Sequence, residues 1–179
     1  MNASIISTWL LLLATAAHIQ NVNGAYGNTP LMKAVRANNI NLVTHLLANN
    51  TDAKATDNFG WTALMFAARY GNEKSVELLI PHSDVKATSD YGSTALMFAA
   101  EYGNEKSVDL LIPHSDVKAT DNMGHTALMF AARHGLEKSV ELLIPHSDVK
   151  ATNIKGNTAL DIAKSSGYSR VISILIYNY

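Results

Sequence analysis

Three histidines each stand directly before a serine and an aspartate: His82-Ser83-Asp84, His114-Ser115-Asp116 and His146-Ser147-Asp148. Base, nucleophile and acid are the residue types of a hydrolytic triad. That chemistry needs the base to reach the nucleophile while the acid orients the base from its other side. Residues adjacent in sequence rarely converge in that way, and three identical copies mark the triplet as scaffold. A metal shared between copies fares no better. Imidazole ligands must lie about 2 Å from one ion, whereas packed helices set successive units roughly 10 Å apart. There is no cysteine for a thiolate or a disulfide, and the glycines fall singly rather than in a phosphate-cradling loop. The chain is therefore expected to be no enzyme, with no metal, no cofactor and no small-molecule substrate.

The triplets belong to a longer repeat. Residues 60–91, 92–123 and 124–155 are near-copies at a period of 32 positions, flanked by a looser copy over 27–59 and a shorter one over 156–179. A fixed period of this size is the signature of a solenoid. Within one unit, Gly60 suits a tight turn and Thr62 can cap a helix over 63–70. Leu64, Ala67 and Ala68 share one face of that helix at i, i+3, i+4 spacing, with two small residues that admit a close neighbour. Gly71 should end it in the left-handed region, and Asn72 should cap the next helix. There Val76, Leu79 and Ile80 make an apolar stripe, Glu73, Lys74 and Glu77 face water, and Pro81 stops the helix. An extended polar segment, 83–91, leads to the next turn. Helices this short are marginal alone, so the units must stack to bury their stripes.

These residues resemble the ankyrin repeat. Gly60, Thr62, Leu64, Ala67, Ala68, Gly71, Val76, Leu78 and Leu79 stand at the places of that family's pattern, and so do Gly92, Thr94, Leu96, Ala99, Ala100, Gly103, Val108, Leu110 and Leu111. The resemblance implies an all-α solenoid of stacked helix-turn-helix units with β-hairpin-like finger loops, spanning 27–179. Tetratricopeptide units have a similar length but want longer helices, bulkier residues and no finger. Three departures stand out. The family's proline after threonine survives only as Pro30. Its histidine is replaced by Met32, Met65, Met97 and Met129. The central units are one residue short after the second helix, at Pro81-His82-Ser83.

Charge points to few partners. The chain has 14 basic and 15 acidic residues, a net charge of −1, which gives no case for nucleic acid or an anionic membrane. Residues 1–26 hold no Asp, Glu, Lys or Arg, and the apolar run 5–17 is too short to span a bilayer. Two readings of it stay open: the second helix of a truncated capping repeat, or a signal peptide ending at Ala14, Ala16 and Ala17. The first reading goes with an intracellular, cytoplasmic protein. The second goes with secretion, in which case Asn49-Asn50-Thr51 is a glycosylation acceptor. In the last unit the second helix is apolar, with Ile172, Ile174, Leu175 and Ile176.

The copies differ in clusters. After the turn glycine stand Trp61, Ser93 and His125; before it stand Phe59, Tyr91 and Met123; at the end of the first helix stand Arg69-Tyr70, Glu101-Tyr102 and Arg133-His134. Exposed Lys74, Lys86 and Lys106 stay unchanged in their copies, so the variation is not simply surface drift, although recent duplication also preserves letters. The resemblance implies that finger tips and first helices line one concave face on which the family binds proteins, and aromatics with arginine are the types enriched at interface hot spots. Phe59, Trp61, Arg69, Tyr70, Tyr91, Glu101, Tyr102, Met123, His125, Arg133 and His134 are thus the candidate partner-binding residues of a monomeric interaction scaffold. The alternative is self-assembly through the apolar ends.

Overall fold

A computed structural model describes residues 27–178, so both readings of residues 1–26 lie outside the described part. Each unit opens on a helix whose start is set by a threonine. Thr62 Oγ1 accepts the Met65 N–H at 3.3 Å, and the Met65 sulfur takes the Thr62 N–H in return at 3.5 Å. This is a capping box with sulfur in the place of the usual carboxylate or amide. Met32 and Met97 close the same box on Thr29 and Thr94. Loss of the family's histidine therefore leaves the helix start hydrogen-bonded, because a thioether is a weak acceptor that also fills space.

Among the described residues, ten α-helices follow in pairs. The first members are α1 (Pro30–Arg36), α3 (Ala63–Tyr70), α5 (Ala95–Glu101), α7 (Ala127–Arg133) and α9 (Ala159–Ser166). The second members are α2 (Ile40–Ala48), α4 (Glu73–Leu79), α6 (Glu105–Leu111), α8 (Glu137–Leu143) and α10 (Ser169–Tyr177). First members pack on first members from α1 to α9, and second members on second members from α2 to α10. Ala67, Ala68, Ala99, Ala100, Ala131 and Ala132 are fully buried between the inner helices. Their lack of bulk is what lets successive helices approach. Val76, Leu79, Val108, Leu111, Val140 and Leu143 complete the core beneath the outer row. The fold is all-α and ankyrin-like.

Gly71 ends α3 at φ 67°. A Cβ there would also meet the Asn104 carboxamide at 2.6 Å, so glycine suits the conformation and leaves room for that side chain, while Asn38 takes the same position in the first unit at φ 51°. The role expected of Asn72 needs correction. It makes no capping bond to α4. Its Nδ2 donates instead to the Val35 carbonyl in the preceding unit, and Asn104 donates likewise to Ala68 and Arg69. The last carbonyls of a helix lack partners within it, and these side chains supply them from the next unit. Leu136 interrupts the row and packs toward Gly103 instead.

The exit after the second helix is a short 3-10 turn, Ile80–His82, with Pro81 in its first turn. His82 and Asp84 are exposed. Asp84 accepts the Lys86 N–H at 3.0 Å, an Asx-type turn repeated at Asp116 and Asp148. No hydrogen bond joins the members of a His-Ser-Asp triplet; each is a corner of the chain.

The fingers contain no strand among the described residues. Each is a turn closed by two backbone bonds, such as Ser89 N–H to Ser93 O at 3.0 Å and Gly92 N–H to Ser89 O at 2.8 Å, and tied to its neighbour by another, such as Asp90 N–H to Phe59 O at 3.0 Å. Both bonds lie within the five residues of the turn, so no ladder extends beyond it.

Candidate functional site

Two clefts lie between fingers and inner helices, and they divide most of the candidate residues between them. The first, about 330 Å³, is lined by Phe59 and Tyr91 from fingers, Trp61 from a turn, and Phe66, Arg69 and Tyr70 from α3, with Asn28, Arg36 and Asp57 at its edges. The second, about 370 Å³, joins Met123, His125 and Arg133 to Asn153, Ile154 and Lys155 of the next finger and to Asn157, Ile162, Ser165 and Ser166. Glu101 and His134 line neither of these clefts.

The first cleft is built on stacked rings. Trp61 packs on Phe98 with centroids 4.0 Å apart and on Phe66 at 5.0 Å, and Phe66 stacks nearly parallel to Tyr70 at 6.4 Å. Phe66 and Phe98 are buried on the helices, which fixes the plane of the tryptophan. The Arg69 guanidinium lies 5.2 Å from the Trp61 ring and 4.8 Å from that of Tyr102, and Arg36 lies 5.6 Å from Phe66. A cation over a ring face is attracted by the ring quadrupole, and more strongly where water is thinned. Tyr102, outside the cleft lining, thus enters the site through Arg69. The outer rim stays open: Tyr70 and Tyr102 are each 46% exposed and Tyr91 is 67% exposed.

The turn that presents Trp61 is held by Asp57, whose Oδ1 accepts the N–H of Phe59 and of Trp61, both at 2.9 Å. Asp121 holds the corresponding turn in the second cleft, accepting from Met123 at 2.8 Å and His125 at 2.7 Å. Its other oxygen lies 3.1 Å from His125 Nδ1, and Arg133 lies 2.8 Å from His125 Nε2. An arginine can only donate, so Nε2 is the acceptor, and the proton sits on Nδ1 facing Asp121. Acid, imidazole and guanidinium form one closed chain.

Arg36, Phe66 and Asp121 were not among the candidates. Arg36 occupies the repeat position of Arg69 and Arg133, 33 residues before the former, so carrying the copy comparison into the looser first unit would have found it. Phe66 recurs unchanged as Phe98 and Phe130, and a search for differences passes over it. Among the described residues no group of three His, Cys, Asp or Glu is placed to hold a metal ion, and no helix is long and apolar enough to cross a membrane.

A family model described as ankyrin repeats (3 copies) matches residues 31–121 and again 107–179. Among curated proteins, the chain is similar to the mitochondrial disaggregase of Bos taurus, 36% identical over 75 residues, which is 42% of this chain and 11% of that protein. It is similar to the mitochondrial disaggregase of Homo sapiens at 36% over 70 residues, 39% and 10% of the two chains. The chain thus spans about a tenth of the length of these relatives.

Proposed function

Since the chain belongs to the ankyrin repeat family, whose members are generally protein-interaction modules, we propose that it is a non-catalytic scaffold that holds a protein partner against the concave side formed by its fingers and inner helices. The observation that carries this reading is the ring-and-arginine cluster of the first cleft. Its buried rings are fixed by packing, and its exposed rim is built of tyrosine and arginine. Such residues bury much area with little ordering cost, which is what a binding hot spot requires. In this reading Phe59, Trp61, Arg69, Tyr70, Tyr91 and Tyr102 form the centre of the contact. Met123, His125 and Arg133 form a second contact, and Glu101 and His134 flank the two.

The test is a paired affinity enrichment from native extract with the full chain and with a Tyr70→Ala, Tyr91→Ala, Tyr102→Ala variant, both checked by circular dichroism. The expected result is a protein retained by the first and lost from the second. Equal recovery on both would move the contact off this face.

A second reading, end-to-end self-assembly, draws on Ile176 and Tyr177, exposed on α10. It requires light scattering to grow with concentration. A sharp monomer at high concentration ends it.

A further inference from the structure

Charge around the first cleft is unbalanced. No Asp or Glu occurs before Asp52, whereas α1 carries Lys33 and Arg36. Arg36 and Arg69 line the first cleft. Lys33 and Arg36 line an adjoining hollow that meets it at Arg36 and Tyr70. Among the described residues no carboxylate lies within ion-pair distance of Arg36 or Arg69. The one acid of the cleft, Asp57, is buried and already accepts two turn N–H groups.

An arginine stacked on rings keeps its in-plane N–H donors for a ligand, and that planar fork matches a carboxylate. The rings also exclude water beside it, which strengthens a charge-assisted bond. We infer that the first cleft takes an acidic linear peptide, with a carboxylate side chain on Arg36 and Arg69 and a neighbouring aromatic or aliphatic side chain between Phe59 and Tyr91, over Trp61. This rests on the concave-side reading above and names the chemistry of the partner.

Single-stranded nucleic acid would also meet arginine and rings. A phosphate backbone, however, needs cations along its whole track. At the repeat position of Arg69 the units carry, in order, Arg36, Arg69, Glu101, Arg133 and Ser165, so an acid interrupts the row. A single carboxylate beside an apolar side chain needs only the first two.

The experiment pans a displayed library of random dodecapeptides on the full chain, on an Arg36→Gln, Arg69→Gln variant, on the triple tyrosine variant, and on a Lys106→Gln, Lys138→Gln variant as a charge-matched control on the outer row. Urea unfolding confirms an equal midpoint for each. Peptides retained by the wild type should be rich in Asp and Glu next to a large apolar residue. Recovery should fall about tenfold or more on the arginine variant, as expected for loss of charge-assisted bonds, and should hold on the Lys106→Gln, Lys138→Gln variant. Retained peptides without acidic enrichment, lost on the tyrosine variant, would overturn this inference and leave the concave-side reading standing. Peptides retained equally by all four proteins would overturn both. No peptide retained, or hexauridylate binding more tightly than the selected peptides in fluorescence anisotropy, would overturn the acidic-peptide inference.

Discussion

The two clefts share four repeat positions, Phe59 with Met123, Trp61 with His125, Arg69 with Arg133 and Tyr91 with Lys155, and behave as opposites. In the first, position 61 is tryptophan, and the arginine eight residues on rests against its ring with no carboxylate partner. In the second, position 125 is histidine, and the equivalent Arg133 is bound to it at 2.8 Å while Asp121 holds the ring from behind. One residue after the turn glycine decides whether the arginine on the neighbouring helix is available or already engaged. A solenoid that repeats its core can therefore set the reactivity of each unit separately, through one partly buried side chain at the edge of that core.

The comparison breaks most severely at Trp61. Trp61→Ala removes a ring that packs on both Phe66 and Phe98 and leaves a gap between two units. A loss of about 2–3 kcal/mol in urea unfolding is expected, less than for a fully buried ring, against roughly 1 kcal/mol for His125→Ala. Equal losses would mean that the two turns contribute alike. A smaller effect should come from the aspartates. Asp57→Ala and Asp121→Ala each remove an acceptor from two turn N–H groups and should each cost about 1–2 kcal/mol. Only the second should also release Arg133, seen as a change in the His125 ring resonances, and unchanged resonances there would contradict the closed chain.

The finest distinction is in acid. α3, on the first cleft, starts on a methionine sulfur, whereas α9, on the second, starts on Asp161. The Thr158 hydroxyl, at 2.7 Å, and then its backbone N–H, at 3.0 Å, hold the Asp161 carboxyl below the usual carboxylate range. A lowered folded value means that the cap is fully stabilising above the unfolded value of about 3.9 and fades as pH falls through the folded one. Amide protection, taken relative to the intrinsic exchange rate at each pH, should therefore fall in α9 but not in α3 on acidification through that window. Asp161→Met should abolish the difference, and a persistent difference would show that another group is responsible.

Much of this was legible in the sequence. The helix over 63–70 and its glycine stop follow from local chemistry: a threonine cap, periodic apolar residues and a residue that tolerates positive φ. The ankyrin-like stack follows from repetition. What escaped was set by contacts between units. Asn72 reads as a cap because caps are local, yet its donor goes to a carbonyl 37 residues earlier. The Asp121-His125-Arg133 chain needs side-chain directions that spacing does not specify. Phe66 was passed over because the copies do not vary there, although its role in holding Trp61 depends on its staying constant.

Methionine at the start of four inner helices makes the stack a record of its own exposure to oxidants. Met32, Met65, Met97 and Met129 are 0–2% exposed, whereas Met123 is 44% exposed. Peroxide should convert Met123 to the sulfoxide at once and reach the others only as each unit opens. A sulfoxide brings an extra oxygen into a space shaped for sulfur alone, so a unit that has opened once closes less well. Beyond Met123, oxidative damage to this chain should therefore be cumulative, beginning with the buried methionine of whichever unit opens most often.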